Sequence, residues 1–408
     1  MQFLTLVLTF VFACTAPASA HEGMHDAMHG GQGNVMRAAP AKPQLAASMV
    51  FDGNGRLWRV SARDGYVLVS FSDDRGNHFS PPVKVNQAPE DIAADGDNRP
   101  KIIVKNGGMV YVSYTQSLDK PYSGNIRFSR SLDGGKSFSE PLSVNDNREI
   151  ISHRFDALGV NERGQVFIAW LDKRDSSAAE KKGKKYTGAA VYYAMSDNGG
   201  ERFGPNIKAV DNSCECCRIA MAVGADGVPV IFWRHVYGKN VRDHAMLKLD
   251  GKSQPVRVSY DNWEVDACPH HGPSIAISPD GMYHFVWFDN APDKNGLFYA
   301  RSVDGGKTFS PSRPFGNNAG QASHPYVLSA GAKIVVAWKE FDGENAVVMA
   351  MTSDTAGQQW SAPRRLAATT GASDHPLLIA EGDVAYLAWN TAKEGSQLIK
   401  INSGATEK

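Results

Sequence analysis

The chain has 408 residues and carries 43 Lys plus Arg against 43 Asp plus Glu. That balance excludes a global field drawing it to nucleic acid or an anionic membrane, so any charged ligand must be met by local residues. The length admits two or three domains or one repeat array, and repeats are therefore sought first.

The chain opens on MQFLTLVLTFVFA, an apolar run too short to span a bilayer comfortably, followed by small residues up to Ala18-Ser19-Ala20. Residues 1–20 read as a secretory signal cleaved before His21, which implies a periplasmic or secreted, oxidising location. The segment lacks the usual positive n-region, and Val11-Phe12-Ala13-Cys14 resembles a loose lipobox, so a form lipid-anchored at Cys14 stays open. Residues 21–43, from HEGMHDAMHGG to RAAPAKP, read as a His/Met-rich tail and linker. No later stretch is long and apolar enough to span a membrane.

Residues 44–408 carry a repeated pattern: an apolar strand, a Gly-containing turn, a strand ending in an aromatic, then a third strand and a turn. Tyr114, Trp170, Trp233, Trp287, Trp338 and Trp389 mark the second strand in successive units. Runs such as Met109-Val-Tyr-Val-Ser-Tyr114 are β-branched and aromatic, which favours strand over helix. Nothing longer than a turn reads as helical, and residues 175–187, with EKKGKK, read as a solvated loop.

The turn is a box, Ser-x-Asp-x-Gly-x-x-aromatic, intact at Ser72/Asp74/Gly76/Phe79, Ser131/Asp133/Gly135/Phe138 and Ser302/Asp304/Gly306/Phe309. Weaker copies stand at Ser196/Asn198/Gly200/Phe203 and Ser353/Thr355/Gly357/Trp360. Short polar side chains bond the turn backbone, Gly takes a positive φ, and the aromatic packs beneath the sheet. On these residues the chain resembles the sialidase-like Asp-box (BNR) repeat superfamily, over nearly the whole mature length. The resemblance implies an all-β fold, a β-propeller of four-stranded antiparallel blades. Unit starts near Ala47, Arg99, Arg154, Cys217-Arg218, His271, His324 and His375 favour seven blades. Six, the number in sialidases of this superfamily, is the alternative. The last unit holds about three strands, and residues 35–45 would supply its fourth.

The densest chemistry is Cys214-Glu215-Cys216-Cys217-Arg218, followed one unit later by Cys268-Pro269-His270-His271. Cys217 and Cys268 are 51 residues apart, close to one repeat, so the clusters should meet side by side where neighbouring blades begin. Thiolate and imidazole suit soft or borderline ions, copper first and zinc as the alternative. The competing reading is one or two disulfides among the four mature cysteines. In the tail, His21, His25 and His29 alternate with Met24 and Met28, donors suited to copper in both oxidation states. HEGMH formally matches a zinc-protease pattern, but that chemistry needs a helix to aim both histidines, and this segment is a Gly-rich tail.

Arg99, Arg154 and Arg218, then His271, His324 and His375, occupy nearly equivalent positions in successive units. Together they would ring the channel mouth as a cationic site for a small anionic ligand or, through the imidazoles, a metal; the bland alternative is that each caps its strand.

Three functions follow. The first is an exported metal binder, with the Cys/His cluster at the mouth and the tail as accessory. The second, implied by the resemblance, is an exo-sialidase-like glycosidase in which Arg99, Arg154 and Arg218 imitate the arginine triad. Tyr260, Tyr326, Glu264, Glu340, Asp97 and Asp156 are conceivable catalytic groups there, but the superfamily's Phe/Tyr-Arg-Ile-Pro motif is absent and no motif assigns them. The third is a protein-interaction scaffold, which predicts no metal.

Overall fold

The computed structural model describes residues 44–402 apart from residue 106. The signal, the tail with His21, Met24, His25, Met28 and His29, and most of the expected closing segment 35–45 lie outside the described residues.

Strand after strand folds back on its predecessor through short turns, giving antiparallel meanders. Three separate four-stranded sheets run from Ala47 to Lys84, from Ser274 to Phe315 and from Ser323 to Thr369. A five-stranded sheet spans Ile92 to Ser143 and a three-stranded one Leu377 to Lys400. An eight-stranded sheet, from His153 to Arg257, consists of two four-stranded meanders joined at the single pair Ser213–His235. No helix of the described residues is long and apolar enough to cross a membrane.

The aromatic-ended strands lie in the middle of these sheets. Val166–Asp172 (VFIAWLD) is buried at every position, and Trp170, Trp233, Trp287, Trp338 and Trp389 are all but sealed from solvent. A strand covered on both faces reads as a nearly continuous apolar run rather than an alternation. The cover comes from the next sheet: Tyr111 and Phe128 pack with Val166 and Trp170, and Val230 and Phe232 pack with Phe285 and Trp287. The last sheet packs on the first in the same way, through Ile379, Tyr386 and Ala388 against Met49, Phe51 and Leu57. Arg75 reinforces that junction with hydrogen bonds to Glu381.

All five boxes make one hydrogen-bond network. In the second unit Ser131 Oγ donates to Asp133 Oδ1 at 2.7 Å and accepts from Gly135 N–H at 2.9 Å, while Asp133 Oδ1 accepts from the backbone of Lys136 and Ser137 at 3.0 Å. The degenerate copy keeps the scheme: Gly357 N–H donates to Ser353 Oγ at 2.9 Å and Gln359 N–H to Thr355 Oγ1 at 2.8 Å. Gly135 sits at φ +76°, and a Cβ there would lie 2.6 Å from the Trp58 ring of the preceding sheet, so the position needs glycine twice over.

One expectation fails. Residues 175–187 are not all loop: Arg174–Glu180 form a helix, α1, docked to its sheet by the Tyr192 hydroxyl, which donates to Asp175 at 2.9 Å. Arg174 anchors the start of α1 through Asp172 and Asp146. The EKKGKK residues that follow are exposed, as expected.

Candidate metal centre

The strand Ile207–Ser213 ends at Ser213, and the backbone of Cys214 is pinned to its neighbour by donating to the Arg234 carbonyl at 2.9 Å. The chain then turns tightly before Ala220–Val223, and the turn folds three cysteines inward. Cys214, Cys216 and Cys217 are 1%, 6% and 2% exposed. Their sulfurs stand 3.6, 3.8 and 4.0 Å apart, too far for a disulfide bond of about 2.05 Å, and all are free thiols.

Cys268 arrives from the next meander. Residues 263–265 are laced to the strand Val241–Lys248: Arg242 N–H donates to the Trp263 carbonyl, Val265 N–H to Asn240, and Arg242 Nε to the Val265 carbonyl at 2.9 Å. This lacing carries the chain onward so that the donor atoms of Cys216, Cys268 and His270 lie within 4.8 Å of one another. Cys216 thus belongs to two donor sets, the buried trio and an exposed one with Cys268 and His270.

Arg242 Nη1 donates to Cys214 Sγ at 3.1 Å, and the buried Arg234 adds a second positive charge nearby. Hydrogen bonds from the Cys216 and Cys217 thiols, aided by the two guanidiniums, hold the Cys214 thiol well below its ordinary range despite burial. Donating to that sulfur pushes the other two up, Cys217 to about 12. A hydrogen bond from Cys216 lowers the Cys268 thiol. Negative charge in the buried trio is thus favoured on Cys214 Sγ.

His271, expected beside the thiols, packs elsewhere. His270 takes a left-handed backbone (φ +54°), and His271 lies against Phe288 with ring centres 4.1 Å apart. His271, His324 and His375 form a row: His271 to His324 is 4.6 Å, and His324 to His375 is 3.6 Å with planes only 17° apart. Burial pushes His271 down to about 3 and His324 well below the ordinary imidazole range, so both stay neutral at physiological pH.

The three arginines do not form an open cationic ring. Arg99 makes a buried two-pronged pair with Asp374 at 2.7 and 2.8 Å, tying the second unit to the last sheet. Arg218 Nη1 donates to Asp97 Oδ1 at 2.5 Å, its remaining donors reaching the carbonyls of Pro273 and Pro325. Arg154 lies 3.8 Å from Asp95. For Arg99 and Arg218 the strand-capping reading holds, because a buried guanidinium must satisfy its donors locally. Gly272 makes the Arg218–Asp97 approach possible: a Cβ there would come within 2.2 Å of Arg218 Cγ and 2.8 Å of Asp97 Oδ2.

The residues weighed for glycosidase chemistry are scattered or engaged. Tyr260 is 61% exposed, Asp156 is buried in contact with Lys101 and Ser113, and Glu340 accepts from the Trp338 indole. Sequence reasoning missed Arg234 and Arg242. The sequence signal for Arg242 is the charged run Arg242-Asp243-His244, three buried positions within a strand, and Arg234 stands directly after the buried Trp233. That strand leads to a further buried grouping, Asp243, Asp261 and Asp289. Burial raises Asp289 to about 8, while Asp243 is paired with Arg257 and Asp261 accepts from Trp287 and Lys294.

No family profile matches the chain, and no curated protein matches it. Solved structures do. The BP39L lectin of Burkholderia pseudomallei is 13% identical, with 88% of this chain and 99% of that one covered at a TM-score of 0.56. A PL25 ulvan lyase is 9% identical, covering 87% and 91% at 0.52. A leech intramolecular trans-sialidase is 11% identical, covering 86% and 83% at 0.48. At such identities the likeness to the lectin and the lyase shows the fold alone, and the fold is of the β-propeller type.

Proposed function

We propose that this chain is an exported, seven-bladed Asp-box propeller that binds a thiophilic metal ion on Cys214, Cys216 and Cys217, with Cys268 and His270 as further donors. Copper(I) is the first choice and zinc(II) the alternative. The observation that carries the reading is the buried thiol triangle with sides of 3.6, 3.8 and 4.0 Å. Three sulfurs at about 2.3 Å from one ion stand about 3.8 Å apart in a tetrahedral arrangement and about 4.0 Å apart in a planar one. The trio therefore needs little movement to close on an ion.

Charge counting links the ion to the number of thiolates: on the trio alone, copper(I) leaves two negative charges, which Arg234 and Arg242 match, whereas with Cys268 as a fourth thiolate zinc(II) gives the same balance. The His/Met tail is proposed as an accessory that captures or passes the ion. The packing of the last sheet on the first supports a closed ring of seven units. The glycosidase reading is weakened because Arg99 and Arg218 already hold protein carboxylates where a substrate carboxylate would need them.

Protein purified from the periplasm should carry near-stoichiometric metal and yield four reactive thiols after unfolding in a chelator. Cys216→Ser should lose most of the metal. Metal-free protein with its cysteines oxidised to disulfides would overturn the proposal.

A further inference from the structure

The row of histidines is not accounted for by the thiol site. The donor atoms of Asp97, His324 and His375 lie within 4.8 Å of one another. The three residues reach this point from distant stretches of chain: Asp97 from the turn Gly96–Asn98, His324 from the strand Ser323–Ala330, and His375 from the segment ahead of Leu377–Glu381. We propose that Asp97, His324 and His375, with His271 alongside, form a second metal site, separate from the cysteines and selective for a borderline divalent ion such as zinc(II) or copper(II).

Four observations lead there. First, Nδ1 of His271, of His324 and of His375 is buried without a hydrogen-bond partner. A buried polar atom left unsatisfied costs about 1–3 kcal/mol, and a cation would take up these imidazole lone pairs once the stacked rings of His324 and His375 turn out of parallel. His375 Nδ1 comes within 3.3 Å of Asp97 Oδ1, so the carboxylate and this imidazole already face one another.

Second, the residue types suit ligation: two imidazoles and one carboxylate present the donor set that divalent borderline ions prefer, with positions left for water or a ligand.

Third, Asp97 is already braced from behind. Arg218 donates to Oδ1 and Gly272 N–H donates to Oδ2 at 3.1 Å, the supporting bonds that ligating carboxylates ordinarily receive. Each carboxylate oxygen retains a second lone pair for an ion. Fourth, His324 sits at φ +50°, and the ladder between Ser323 and Tyr326 slips in register there. A non-glycine residue held in the left-handed region is locally strained, and such strain collects where a side chain must be aimed.

The proposal does not depend on the thiol site. His270 and His271 are adjacent in sequence, so the two sites share a wall, yet their donor sets have no residue in common. Cadmium-113 NMR separates them, because sulfur-rich and nitrogen/oxygen sites resonate in well-separated regions. The full-length protein with its thiols reduced, titrated with cadmium(II), should show a nitrogen/oxygen-type resonance besides any sulfur-rich one. His375→Ala and the isosteric Asp97→Asn should each remove the former and leave the latter in place. With the four cysteines replaced by serine, zinc(II) should still bind at about one equivalent, and adding His324→Ala should lower affinity at least tenfold. Absence of the nitrogen/oxygen resonance in folded protein, or its persistence in both His375→Ala and Asp97→Asn, would overturn the second site. Loss of the sulfur-rich resonance alone would count against the thiol site and leave this one standing.

Discussion

Replacing Arg242 tests whether the thiol cluster is tuned as a charged unit. Its guanidinium donates to Cys214 Sγ at 3.1 Å and also holds the Val265 carbonyl at 2.9 Å, so one side chain both charges the trio and positions the segment that brings Cys268. A hydrogen bond to a charged partner contributes about 1.5–3 kcal/mol, and a supporting residue behind a metal ligand typically changes affinity about 10- to 100-fold. Arg242→Leu should therefore weaken copper(I) binding by about 10- to 100-fold and raise the pH at which the cluster loses its protons. Arg242→Lys keeps the charge but not the fork, and should fall between. The assay is anaerobic competition against a chromophoric copper(I) chelator at several pH values, with circular dichroism confirming the fold. Affinities for Arg242→Leu and wild type within twofold of each other at every pH would refute the reasoning.

Other predictions follow from the same contacts. Arg99→Leu leaves the Asp374 carboxylate buried and unpaired and should cost about 3–5 kcal/mol in urea unfolding, with much of it recovered in Arg99→Leu/Asp374→Leu; equal losses in both would show that the pair does not join the second unit to the last sheet. Gly272→Ala forces a Cβ onto Arg218 and should destabilise by about 1–3 kcal/mol, measured the same way. Ser131→Ala strips the buried Gly135 N–H of its acceptor, and a loss of about 1 kcal/mol is expected. His284 has its imidazole lowered to about 4 by burial. Because the folded value lies below the unfolded one near 6.5, its contribution is full above pH 6.5 and is lost as pH falls toward 4. The stability lost between pH 7 and pH 5 should thus be about 2 kcal/mol smaller in His284→Gln, and identical pH profiles would contradict the assignment.

The repeat was legible because its signals are local and periodic. Each box closes its own turn within a few residues, and each buried tryptophan marks the middle of a sheet, so neither needs knowledge of distant chain. The cysteine trio was legible for the same reason, lying within four consecutive positions of one turn. Cys268 was placed correctly against Cys216 by counting one repeat. What sequence could not provide were partners set by ring geometry. Arg99 and Asp374 are 275 residues apart, and Arg218 and Asp97 are 121, so arginines that resemble an open binding ring are in fact engaged with carboxylates. The division of labour between His270 and His271 turns on a left-handed backbone at His270, a conformation that histidine adopts more readily than most residues but that nothing in the sequence assigns to one of two adjacent histidines. Helix α1 escaped notice because seven residues with no side-chain cap give no recognisable periodicity.

Whether the thiol trio holds copper(I) is settled by X-ray absorption at the copper edge of protein loaded anaerobically with one equivalent of copper(I). A nearest-neighbour shell of about three sulfurs is expected, reduced in Cys214→Ser and in Cys217→Ser. A shell of nitrogen and oxygen only, unchanged in those variants, would contradict it.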